Sequence, residues 1–171
     1  MSARKFALGV ARRGWAGAVI SFCIRHFYRA LSLKRIGEDA DLAAFFHPAP
    51  SCDPHILIVP KQRARTVFDL PEPIFRAALH MGAEIARRYE VPLQLRINGG
   101  ARQEVMQAHF HLYPASGHTG MTRADTFPDA LSLARGASGF SLVMPVGENG
   151  IWVGRDERGD AGALPQTPLK G

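Results

Sequence analysis

The chain has 171 residues, of which 46% are hydrophobic and 21% charged, with only two cysteines. These values suit one globular domain in a reducing compartment and exclude a disulfide-framed secreted module. The formal charge of +6 is uneven: the first 35 residues hold eight basic groups and no acid, while the other 136 hold 13 basic and 15 acidic groups. The high pI therefore gives no reason to expect nucleic acid as a partner.

In chain order, Trp15 to Ile24 is an apolar run of about ten residues cut by Arg25, half the roughly 20 residues of a membrane span. No small-residue cleavage site follows, as a secretory signal requires. A helix from about Arg12 to Leu33 puts Trp15, Val19, Phe22, Cys23, His26 and Phe27 near one stripe, with arginines along the flank. That pattern suits an anionic membrane surface, and equally a helix packed on its own domain or on a partner subunit. An Arg-rich, acid-poor start also suits a mitochondrial transit peptide. The expected organisation is a basic amphipathic helix over 1–36, a core over 37–120, and a C-terminal extension with a hairpin and mobile tail over 121–171. The expected location is cytoplasmic and peripheral at the membrane, with the mitochondrion as alternative.

The core begins with a strand over Asp41–Phe46, then a proline-rich loop from Phe46 to Pro54. His55–Pro60 is a continuous β-branched run and predicts a buried strand ended by proline. Pro71–Tyr89 has helical spacing: Ile74, Ala77, Ala78, Met81, Ile85 and Tyr89 form a stripe, and Pro73 suits the first turn. Pro92–Ile97 alternates as a strand. Asn98-Gly99-Gly100-Ala101 predicts a tight turn into a hairpin. The core unit is β–β–α–β–β, an α+β arrangement with one face of an antiparallel sheet covered by the main helix. Gly117–Asp125 reads as a loop, and Pro128–Arg135 as a short helix. Phe140–Val146 and Ile151–Gly154 read as strands joined through Asn149-Gly150.

The segment richest in chemistry is Gln107-Ala108-His109-Phe110-His111-Leu112-Tyr113-Pro114. Side chains on a strand alternate between faces. Val105, Gln107, His109, His111 and Tyr113 share one face, while Met106, Ala108, Phe110 and Leu112 share the other. The first face carries an amide and two imidazoles about 7 Å apart along the strand. Imidazole is largely neutral near pH 7 and can attack phosphorus without a separate strong base.

The order His55-Ile-Leu-Ile-Val-Pro-Lys61, helix, Arg96-Ile-Asn-Gly99, Gln103-x-Val105-x-x-x-His109-x-His111 resembles the histidine triad (HIT) superfamily of nucleotidyl hydrolases and transferases. The resemblance covers about Asp41 to Pro114. It implies that His109 is the nucleophile, that His111 is the third histidine, and that Gln107 stands where the first usually is. The Gln-x-His-x-His form is also similar to the branch that includes CDP-diacylglycerol pyrophosphatases. Two departures are Glu104, where many members have a phosphate-contacting serine, and His47-Pro48, where a ribose-binding acid is common. Gln103, Gln107, Asn98 and His55 are the expected substrate-binding residues.

The expected activity is cleavage of a nucleotide phosphoanhydride or phosphoramidate through a covalent nucleotidyl-histidine. No cofactor or metal is required. The expected partners are a nucleotide or nucleotide-conjugate substrate, an anionic membrane surface through residues 1–35, and a second copy of the chain, as homodimers are common in the family. The alternative is a non-catalytic nucleotide-binding or scaffold protein on the same fold, motivated by Glu104 and the missing ribose acid. A β-barrel metal oxygenase needs a carboxylate soon after His111, and none occurs before Asp125. Cys52 with His47 and His55 makes no zinc motif. His47 and His118 are expected in solvated loops, and Trp152 in the core.

Overall fold

The computed structural model describes residues 34–48 and 50–156. The expected helix over 12–33 and the tail beyond 156 lie outside the described residues. Among the described residues, eight strands form one antiparallel sheet: β1 (Arg35–Glu38), β2 (Leu42–Phe46), β3 (Ile56–Pro60), β4 (Leu93–Gly100), β5 (Phe110–Pro114), β6 (Thr122–Ala124), β7 (Gly139–Pro145) and β8 (Ile151–Arg155). Their order across the sheet is β1-β2-β3-β5-β4-β7-β8-β6. Helices α1 (Glu72–Ala86) and α2 (Phe127–Ala134) contribute to the same core.

Register explains which side is buried. Leu95 pairs with Leu112 on β5 and Met144 on β7, and Ile97 pairs with Phe110 and Leu142. These side chains form the apolar face. Helix α1 places Ile74, Phe75, Ala78, Met81, Gly82 and Ile85 on that face, and α2 adds Phe127, Ala130 and Ala134. Phe75 and Phe127 stack at 3.9 Å and join the two helices. Helix α2 is held at its start by the Thr126 hydroxyl, which accepts from the Asp129 N–H. Burying this continuous face is the main stabilising term.

Three expectations need correction. Asn98–Ala101 is not a tight turn: β4 runs on through Gly100, because β7 pairs with it along its length, as far as Gly100 with Gly139. The chain turns only after Gly100, which has φ 60. Gly99 lacks a side chain for a packing reason: a Cβ there would collide with the ring of Phe140, its cross-strand partner. The histidine strand starts at Phe110 rather than near Val105, so Gln107 and His109 precede it in a bent segment. Finally, β1 and β6 have no counterpart among the expected elements. Arg35 and Ile36 belong to β1, and β6 arises within Gly117–Asp125, the expected loop.

Candidate active site

The face opposite the helices carries the histidines. His111 on β5 pairs with Leu57 on β3 and with Arg96 on β4. Cross-strand partners share a face, so His55, two residues before Leu57, joins His111 there. His47 reaches the same place, since its N–H donates to the His55 carbonyl at 2.8 Å. The loop between β2 and β3 thus brings together residues eight apart in sequence.

Four imidazoles result. The rings of His47 and His55 stack at 4.1 Å. His55 Nε2 lies 2.9 Å from His111 Nδ1, and the His109 and His111 ring centroids are 4.8 Å apart. Contrary to the expectation of a solvated loop residue, His47 is part of the cluster. Strand alternation carries the signal for this, because Phe45 and His47 are two apart on one face, with Phe45 opposite Leu57.

Hydrogen-bond partners set the tautomers. His109 Nδ1 lies 2.8 Å from the Gln107 carbonyl oxygen. A carbonyl only accepts, so Nδ1 carries the proton and Nε2 keeps its lone pair. His55 Nδ1 accepts from the Ser51 N–H at 3.3 Å. Neutral His55 then carries its proton on Nε2 and donates it to His111 Nδ1, which leaves the His111 proton on Nε2. One ring offers a lone pair and its neighbour offers a donor.

Burial keeps these rings neutral. His109 is pushed below the ordinary histidine value, first by desolvation, and the Gln107 carbonyl and Glu104 carboxylate only partly oppose this. His111 is pushed well below it by burial, by the other three histidines and by Arg96. His55 falls to about 4, again first through burial and then through His47 and His109. Arg96 packs over the Tyr113 ring, 5.0 Å from its centroid.

The expected substrate-binding residues divide. Asn98 pairs with Ser141 of β7, and lies two residues past Arg96, the cross-strand partner of His111, so it shares the histidine face of the sheet. Gln107 is 1% exposed, and its amide donates to the carbonyls of Gln62 at 3.2 Å and Pro60 at 3.4 Å. Gln103 donates to the carbonyls of Arg65 at 2.5 Å and Val105 at 2.7 Å. Both glutamine amides thus brace the bend before β5 against the loop after β3. In place of the expected row of polar side chains, the Gln107 amide is taken up by the Pro60 and Gln62 carbonyls. His118, expected in solvent, stacks on Trp152 at 4.9 Å. Trp152 faces the histidine side rather than the core, since it pairs with Val143, which pairs with Arg96.

His47, His55 and His111 offer nitrogens within 4.8 Å of one another, the only such metal-capable grouping among the described residues. Both His55 nitrogens already have partners, Nδ1 the Ser51 N–H and Nε2 the His111 ring, and a cation would displace one of them. Arg96 adds like charge beside His111. The trio is arranged as a hydrogen-bonded relay more than as a ligand set.

The HIT domain family model matches residues 30–118. Three solved structures share the fold at a TM-score of 0.50. A protein described as a Hit-like protein is 22% identical, covering 57% of this chain and 98% of its own. A HIT family hydrolase from Legionella pneumophila Philadelphia 1 is 24% identical, covering 57% and 94%. A HIT family hydrolase from Clostridium thermocellum is 24% identical, covering 57% and 90%. No curated protein matches the chain.

Proposed function

The chain belongs to the HIT domain family, and from that premise we propose that it is a nucleotidyl hydrolase or transferase with His109 as nucleophile. His109 Nε2 attacks the α-phosphorus of a nucleotide phosphoanhydride or phosphoramidate. The N–P bond forms as the leaving group departs with the electron pair of its bond to phosphorus, an amine leaving group taking a proton from the His111 side as it goes. Water then displaces His109 and releases the nucleoside monophosphate. His111 Nε2–H and the Asn98 amide supply hydrogen bonds to the phosphoryl oxygens.

The observation that carries this reading is the 2.8 Å contact between His109 Nδ1 and the Gln107 carbonyl. It holds the lone pair on the outer nitrogen before substrate arrives. Replacing His109 by Ala is expected to abolish release of nucleoside monophosphate while nucleotide binding persists. Undiminished release from that variant would refute the assignment.

A second reading, nucleotide binding without turnover, is favoured by one observation. Glu104 lies close enough to His109 to act on its ionisation, and a carboxylate beside an incoming phosphate opposes it. Binding of a nucleotide conjugate without any covalent adduct would support this reading.

The basic segment over 1–35 fits a lipid-linked substrate or an anionic membrane surface. Vesicle co-sedimentation with and without that segment tests this. Among the described residues no helix is long and apolar enough to cross a membrane. A homodimer built through a strand edge would use β1 or β6, because both sides of β4 are paired within the chain.

A further inference from the structure

The strand β7 lies beyond the matched residues 30–118, yet it touches the candidate site. Ser141 on β7 is 1% exposed. Its hydroxyl donates to Asn98 Oδ1 at 2.7 Å and accepts from Arg102 Nη1 at 3.1 Å. Arg102 in turn grips Asp156 at the end of β8, with Nε 3.1 and 3.0 Å from its two carboxylate oxygens and Nη2 closing the fork. Gly139 makes room for this clamp: a Cβ there would collide with Asp156 Oδ2.

The direction of the chain of bonds follows from what the Ser141 O–H can reach: Asn98 Oδ1 is the acceptor found for it among the described residues. A guanidinium has five donors and no acceptor, so the Ser141 hydroxyl accepts from Arg102, and its own proton, on a residue 1% exposed, needs an acceptor elsewhere. That proton lands on Asn98 Oδ1. Asn98 cannot then turn its oxygen toward the site. Its NH2, for which no hydrogen bond is seen among the described residues, is left for the face that Asn98 shares with His111.

We propose that Ser141 is a positioning residue for phosphoryl chemistry: with Arg102 and Asp156 behind it, it holds the Asn98 amide with its NH2 toward the phosphoryl oxygens at His109. The segment after the family domain thereby completes the active site within one chain. This rests on the reading that His109 attacks phosphorus. An Asn98 amide turned the other way would present an oxygen to the anion, repelling where it should donate.

The test uses the full chain and release of nucleoside monophosphate from a nucleotide conjugate. Ser141→Ala is expected to lower kcat about three- to tenfold, the effect of one neutral hydrogen bond. KM should change little, and Ser141→Thr should recover most of the loss by keeping a hydroxyl. Asn98→Ala should cost at least as much, and the Ser141→Ala/Asn98→Ala double variant no more than Asn98→Ala alone. Arg102→Gln, at the other end of the chain of bonds, should lower kcat in the same way and not add to Ser141→Ala; it also serves if Ser141→Ala does not fold. Additive losses, or full kcat in both Ser141→Ala and Arg102→Gln, would overturn the proposal. If His109→Ala also kept full turnover, the failure would lie in the nucleophile assignment instead.

Discussion

His109 Nδ1 lies 2.8 Å from the Gln107 carbonyl oxygen, and that contact decides which ring nitrogen keeps its lone pair. It uses the backbone of Gln107, while the side chain has another task. That task is to satisfy the Pro60 and Gln62 carbonyls. Gln107→Ala is therefore expected to cost stability, about 1–3 kcal/mol, mainly for the buried contact to the Pro60 carbonyl, while turnover persists. Urea unfolding alongside a turnover assay checks this. Loss of activity at unchanged stability would instead place the amide on the substrate.

Stability should fall on mild acidification. An unfolded histidine takes up its proton near 6.5, whereas folded His55 does so only near 4. Between these values the unfolded chain binds more protons, so stability declines as pH falls. His109 and His111 shift in the same direction. The melting temperature is expected to be flat above pH 7 and to drop steadily from about 6.5 toward 4. A flat profile down to pH 4 would contradict the neutral cluster.

The same shifts shape turnover. As the proposed nucleophile His109 must be neutral, and burial lowers its pKa from the ordinary histidine value. The rate should hold its plateau through pH 6.5, with folding monitored by circular dichroism in the same buffers. A fall in kcat/KM centred on 6.5 in folded protein would show a solvated, unshifted nucleophile.

Turnover should not need a metal ion. The His55 lone pair faces Ser51, and Arg96 stands beside His111. Prolonged treatment with a chelator is expected to leave the rate unchanged. Loss of activity restored by zinc would convert the relay into a ligand set.

Gly99 tests the join between the family domain and strand β7. Its absent side chain admits the Phe140 ring. Gly99→Ala is expected to cost about 1–3 kcal/mol through overpacking, read as a lower urea midpoint. An unchanged midpoint would mean that β7 is not seated on β4 as described.

Much of the central sheet was legible in the residues themselves. β2, β3, α1 and β5 announce themselves through runs or stripes that only one periodicity satisfies, such as Ile74, Ala78, Met81 and Ile85 on α1. His109, His111 and His55 are legible by type and spacing, and the structure brings them together. What local pattern could not show was pairing at a distance. β7 lies some 40 residues beyond β4 in the chain, and this pairing extends β4 through the glycines that read as a turn. The same pairing delivers Ser141 to Asn98. β1 and β6, four and three residues long, are too short for any period to register. His47 follows from alternation past Phe45 only once β2 is paired with β3, since it is the Phe45–Leu57 pair that shows which face this is.

The most direct measurement is mass spectrometry of the full chain, quenched at high pH during turnover of a nucleotide conjugate. The expected result is one added nucleoside monophosphoryl group that maps to His109 and is absent from His109→Ala. Turnover with no adduct on His109, continuing in the His109→Ala variant, would contradict the account.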